Sequence, residues 1–137
     1  MKHVCVVTGS RAEYGLLKFL IKKIQNDKTF KLKLVVTGTH LSKKYGNTYN
    51  EIKTDRIRIN KKIYLDFKSD KKINILNSTQ KSLLNFSKYF SSSKFDLVII
   101  LGDRYEIFGA AIAAYFMNIP IAHFHGGEIT EGLIDEG

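Results

Sequence analysis

Apolar positions along the chain follow two rhythms that take turns. His3 to Thr8 (HVCVVT) is a short β-branched run suited to a strand buried on both faces, and Thr8-Gly9-Ser10-Arg11 closes it. Leu16, Leu17, Leu20, Ile21 and Ile24 then recur at helical spacing with Lys18, Lys22 and Lys23 opposite, which predicts an amphipathic helix. Phe30 to Thr37 (FKLKLVVT) alternates at first and then turns fully apolar, a second strand ended by Gly38. Thr39 to Tyr49 reads as a polar, glycine-bearing loop, and Ile63 to Phe67 as a third strand flanked by charge. From Ile73 to Phe90 the set Ile73, Leu76, Leu83, Phe86 and Phe90 keeps a helical period until the serine run Ser91 to Ser93.

Leu97 to Leu101 (LVIIL) carries the strongest strand signal, bounded by Asp96 and by Gly102-Asp103. Ile107 to Met117 follows as a buried, alanine-rich helix that Asn118-Ile119-Pro120 stops, and Ile121 to Phe124 is a last short strand. Strands alternate with helices, and the central strands are continuously apolar. Together these features predict an α/β fold, a Rossmann-like parallel sheet with helices on both faces. No repeat or Pro/Ser linker divides the chain.

Composition narrows the class. The 137 residues are 44% hydrophobic and 26% charged, which excludes a disordered, collagen-like or disulfide-stapled protein and leaves room for one domain, or for part of a larger enzyme. The single cysteine, Cys5, lies in an apolar run and reads as a core residue in a reducing compartment. No stretch approaches the roughly 18 apolar residues of a membrane span, and Val4 to Val7 is too short for a signal-peptide core, so a cytoplasmic chain with no membrane partner is expected. The net charge of +9 comes from scattered pairs such as Lys22-Lys23 and Lys61-Lys62. These form no long basic block with interleaved aromatics, so a nucleic-acid partner is not expected, although anions are attracted.

In open parallel sheets ligands bind beyond the carboxyl ends of the strands, so the residues that follow each strand are the candidates. After the first strand, Gly9-Ser10-Arg11 offers a tight turn, helix-end N–H groups and a planar fork suited to phosphate, or simply a helix start capped by Ser10. After the second, His40 either touches ligand or braces its loop. After LVIIL, Asp103 and Arg104 are either site residues or a cap with a surface ion pair. After the last strand, His123, His125 and Glu128 gather around Gly126-Gly127. His123 and His125 share a strand face, but with no HExxH and no cysteine pair a metal is not assigned. Carboxylates beside basic groups at one crevice suit proton abstraction and delivery.

Four stretches, VVTGSRAEYGLL, VVTGTHLSKKYGNTYNEI, LVIILGDRYEIFGAAIAAYFMNIPIAHFHGGE and GLIDE, resemble the UDP-N-acetylglucosamine 2-epimerases, within them the hydrolysing branch that feeds sialic-acid and related nonulosonic-acid synthesis. The resemblance implies the N-terminal half of a two-domain GT-B-type fold, with residues 1–137 as an incomplete N-terminal Rossmann-like domain and the C-terminal domain absent. It implies that Arg11 contacts the UDP moiety with Ser10 and His40 nearby, that Arg104 and His125 lie beside the substrate, and that Asp103, Glu128 and Asp135 are catalytic. Some members carry a catalytic glutamate where this chain has His125. The implied partner is a UDP-sugar, the implied cofactor none, and the full-length protein a homo-oligomer. The alternatives are a non-hydrolysing epimerase, a non-catalytic nucleotide-binding module and, furthest behind, a basic RNA-binding domain.

Overall fold

The computed structural model describes residues 1–42, 48–65, 71–102, 104–125 and 128–131, with the backbone alone at 125 and 128–131. In chain order the elements are β1 (Lys2–Thr8), α1 (Arg11–Asn26), β2 (Phe30–Thr37), a 3-10 turn (Gly38–Leu41), α2 (Tyr49–Thr54) and β3 (Lys61–Ile63). Then follow α3 (Lys72–Ser92), β4 (Leu97–Leu101), α4 (Tyr105–Phe116), β5 (Ile121–His125) and β6 (Glu128–Glu131). One sheet runs in the order β3-β2-β1-β4-β5-β6. The first five strands are mutually parallel, and β6 pairs antiparallel with β5. The expected α/β layer sandwich is therefore present, and its antiparallel edge strand is an addition to the all-parallel reading.

The period-2 geometry of a strand sorts the apolar runs onto two faces. Cys5, Val7, Val35, Val98 and Ile100 face α3 and α4, where they meet Phe86, Phe90, Ala110 and Ala114. Val4, Val6, Leu34, Val36, Ile99 and Leu101 face the other way, onto Tyr14, Leu17 and Ile21 of α1 and Ile52 of α2. Two cores on one sheet explain why these strands are apolar at every position rather than alternately. Cys5 is fully buried, and burial pushes its thiol up, as for an unreactive packing residue.

Strands β2 and β4 have the bounds the pattern predicts. The helices are displaced in their faces. The buried stripe of α1 is Glu13, Tyr14, Leu17, Ile21 and Ile24, whereas Leu16 stays 69% exposed, because the face that meets the sheet is turned slightly from the purely apolar stripe toward Glu13 and Tyr14. In α3, Ile73 and Leu76 are exposed while Ser78 and Ser82 are buried. The cause is a close crossing of α3 and α4, at which only small side chains fit: the Ser82 hydroxyl donates to the Glu106 carbonyl at 2.7 Å, beside Gly109. The third strand lies earlier than expected, at Lys61–Ile63, because its pairing with Val35 to Thr37 fixes the register, and residues 66 and 67 of the expected strand lie outside the described residues. The expected loop Thr39 to Tyr49 opens with the 3-10 turn, and α2 begins at its last residue.

The crossing generates a test. A Cβ at Gly109 would fall on the Ser82 side chain and lie 2.8 Å from the Leu83 backbone nitrogen. Gly109→Ala gains about 1 kcal/mol of helix propensity but overpacks the crossing by roughly 1–3 kcal/mol. Net destabilisation is expected in urea unfolding, and an unchanged or raised midpoint would contradict the close crossing.

Candidate active site

The sheet order reverses between β1 and β4: the chain leaves β1 toward β2 and leaves β4 toward β5. A crevice for ligand is expected outside the carboxyl ends of such a pair. Two segments flank it, Gly9-Ser10-Arg11 after β1 and the one that carries Gly102 and Arg104 after β4.

In the first turn Ser10 caps α1, its Oγ accepting the Glu13 N–H at 3.2 Å, while Glu13 Oε1 accepts the Gly9 N–H at 2.9 Å. This is a capping box with its return bond moved one residue back, and it satisfies the Glu13 N–H that a helix start otherwise leaves open together with the buried Gly9 N–H just before the cap. Arg11 projects from the first helical position with a 73% exposed side chain, and its Nε donates to Glu51 of α2 at 3.1 Å. An exposed pair of this kind is worth under about 1 kcal/mol, so an incoming anion can replace Glu51.

Two glycines, Gly9 and Gly38, close over a second carboxylate, and a third, Gly102, faces Glu13. Gly38 and Gly102 have φ of +65° and +84°, values that favour residues without a Cβ. A Cβ at Gly9 would stand 3.2 Å from Glu106 Oε1, and one at Gly38 3.1 Å from the same oxygen. One at Gly102 would stand 3.8 Å from Glu13 Oε2. Glu106, in the first turn of α4, is fully buried, and its Oε1 accepts from Arg104 Nε at 2.7 Å. The Arg104 side chain is otherwise half-exposed, with its guanidinium carbon 5.5 Å from the Tyr105 ring centre.

Burial pushes the Glu13 carboxyl up to about 7, with Glu106 adding to the rise and the Gly9 N–H and Arg104 opposing it. A buried acid that titrates near neutrality, beneath a crevice flanked by arginines, is the electrostatic signature of a site that handles protons or anions. His40 lies on the same side and is fully buried, its Nε2 3.0 Å from Thr8 Oγ1 and its Nδ1 2.9 Å from Thr48 Oγ1. Burial pushes this ring down to about 4, so near neutral pH one nitrogen donates and the other accepts, tying the turn after β2 to both β1 and the start of α2.

The structure thus brings Ser10, Arg11 and Arg104 to the turns around the crevice, with Ser10 as a cap, and sets His40 beneath them as a brace with both nitrogens engaged. Asp103 and Asp135 lie outside the described residues, and of His125 and Glu128 the backbone shows that they face each other across the β5–β6 pair. His123 is buried, its Nε2 against the Gly102 carbonyl. Among the described residues no three His, Cys, Asp or Glu side chains gather to hold a metal. Sequence reasoning passed over Glu13 and Glu106. One signal was available: an acid three residues after a capping serine, and another opening an alanine-rich, otherwise apolar helix.

Residues 22–137 match the family model described as UDP-N-acetylglucosamine 2-epimerase. The chain belongs to this family. It is 43% identical over 99% of its length to the polysialic acid biosynthesis protein P7 of Escherichia coli, and 42% identical over 98% to a GDP/UDP-N,N'-diacetylbacillosamine 2-epimerase (hydrolyzing) of Campylobacter jejuni. The chain spans 35% of each, their N-terminal portion. The fold is also that of the UDP-GlcNAc 2-epimerase of Neisseria meningitidis solved with UDP-GlcNAc (TM-score 0.74, 21% identity, 90% of this chain and 32% of that one). MurG of Acinetobacter baumannii shares it too (TM-score 0.66, 19% identity, 91% of this chain and 35% of that one). These are GT-B-type structures, and this Rossmann-like layer sandwich covers about a third of each.

The raised acid fixes a pH dependence in this epimerase-family chain. Between the ordinary value of 4.5 and about 7, folded Glu13 holds a proton that the unfolded chain has released. Stability linked to Glu13 is therefore complete below about pH 4.5 and is lost as pH rises through about 7. Glu13→Gln, a mimic of the protonated form, is expected to match the parent at pH 4.5 and to exceed it by up to roughly 3 kcal/mol at pH 8. Chemical unfolding at the two pH values checks this, and a pH-independent difference would contradict the buried acid.

Proposed function

We propose that this chain is the N-terminal domain of a hydrolysing UDP-sugar 2-epimerase, acting on UDP-N-acetylglucosamine or a 2,4-diacetamido-6-deoxy analogue. One observation carries the reading: the relatives that match almost the whole chain at about 40% identity include diacetylbacillosamine 2-epimerases named as hydrolysing, from Campylobacter jejuni and Legionella pneumophila. The crevice supports it, since arginines at two turns beside buried carboxylates suit a diphosphate whose leaving is coupled to proton transfer.

In the proposed reaction a base takes the C2 proton while the C1–oxygen bond to UDP breaks, forming a C1=C2 double bond. The Arg11 fork, the α1 N–H groups and Arg104 stabilise the charge that collects on the leaving diphosphate. Water then adds, hydroxyl to C1 and proton to C2 from the opposite face, releasing the free mannose-configured sugar. Asp103, Glu128 and Asp135 are the proposed acids and bases, with His125 beside the substrate. No cofactor enters this proposal. A homo-oligomeric, cytoplasmic enzyme that takes a UDP-sugar and neither nucleic acid nor membrane completes it; among the described residues no helix is long and apolar enough to cross a membrane.

With the complete enzyme and either UDP-sugar, free UDP is expected together with a reducing sugar of mannose configuration. An epimerised sugar still joined to UDP would select the non-hydrolysing alternative. Asp103→Asn is expected to keep the fold and lower turnover by about two orders of magnitude or more, the scale of a lost acid or base. Arg11→Lys is expected to weaken UDP binding in calorimetry, since a point charge cannot reproduce a bidentate fork. Residues 1–137 alone supply one wall of the cleft and are expected to bind UDP feebly without releasing it from UDP-sugars.

A further inference from the structure

Glu106 is a carboxylate in a place that ordinarily excludes one. It lies fully buried on α4, a helix whose other buried positions are Ile107, Gly109, Ala110, Ala111, Ala113 and Ala114. Desolvating a carboxylate there is costly unless a cation or hydrogen-bond donor answers it. A favourable interaction with the helix N-terminus does not require burial, since an exposed acid in the first turn gains it equally. What burial adds is rigidity: Glu106 is held between the turns at Gly9 and Gly38, each of which would bring a Cβ to about 3 Å from its Oε1.

That fixed oxygen meets Arg104 at Nε, 2.7 Å away. A guanidinium bound through Nε keeps its four terminal N–H bonds for other partners, and in Arg104 these serve the Tyr105 side chain and leave the rest for a ligand. The Arg104 side chain remains 46% exposed, whereas Glu106 is fully enclosed. The other carboxylate oxygen, Oε2, is buried and has no hydrogen-bond partner among the described residues, and Arg104 pairs with this acid through Oε1. We propose that Glu106 is a positioning residue, fixing Arg104 through Nε so that its terminal N–H groups are presented to a nucleoside diphosphate at the crevice between β1 and β4. The identity of the ligand rests on the nucleotide-sugar reading above; the positioning role goes beyond it. Glu13 completes the arrangement. While Glu13 keeps its proton, the Arg104–Glu106 ion pair and Glu13 together carry no net charge that would repel an anion.

The arginine side-chain resonances of the 137-residue chain test this directly, with Arg104 assigned from the Arg104→Lys spectrum. The Arg104 Nε–H is expected to exchange slowly with solvent, and on titration with UDP the Arg104 terminal nitrogens should shift along the same saturation curve as the Gly9 and Ser10 amides. In parallel, Glu106→Ala should weaken UDP binding about tenfold, the scale of one charge-assisted hydrogen bond. Glu106→Gln, whose carbonyl still accepts from Nε, should recover most of that loss. Glu106→Ala combined with Arg104→Ala should bind no worse than Arg104→Ala alone, because the first residue acts only through the second. Shifts at Gly9 and Ser10 with none at Arg104, or additive losses in the double variant, would overturn the positioning role and leave the nucleotide reading standing. No shift anywhere at millimolar UDP would overturn both. The titration of the unaltered chain decides the matter even if Glu106→Ala does not fold.

Discussion

A charge that must be buried organises the functional end of this molecule. Glu106 has no access to water, and its ion pair with Arg104 ties the start of α4 to the turn after β4. The turns after β1 and β2 then close over it so tightly that a Cβ at Gly9 or Gly38 would crowd its Oε1, and one at Gly38 would also strike the Gly9 carbonyl. Three loops that share one buried acid cannot shift independently. The arginines they carry are therefore set in a common frame, in the way that a charged ligand requires.

The sheet makes that convergence possible. Parallel strands place all their carboxyl ends on one edge, and the reversal of direction between β1 and β4 leaves the edge uncovered there. The two cores on opposite faces hold the edge in place: α1 and α2 cover one side and α3 and α4 the other. The close crossing at Ser82 and Gly109 brings α4 near enough to α3 for the Glu106 carbonyl to take the serine hydroxyl. One residue thus links the packing of the helices through its backbone to the chemistry of the crevice through its side chain.

Local signals determined a good deal. The continuous apolar runs at Phe30–Thr37 and Leu97–Leu101 gave the bounds of both strands, since a strand buried on two faces leaves no polar position to confuse its ends. The glycines after the strands marked the turns, and Ser10 stood out as a cap, because these depend on backbone geometry a few residues long. The family motifs are likewise strings of neighbouring residues. Tertiary structure alone decided what depends on partners distant in the chain. Leu16, Ile73 and Leu76 were apolar and periodic, yet face outward, because which stripe of a helix is buried follows from the angle at which it meets the sheet and its neighbours. The register of β3 came from its pairing with β2, and the antiparallel β6 from its pairing with β5. His40 is a brace because Thr8 and Thr48, 32 and 8 residues away, happen to reach its two nitrogens. Glu13 and Glu106, 93 positions apart in sequence, became one electrostatic unit only when β1 and β4 were laid side by side, for charges interact through space and no spacing along the chain encodes that distance.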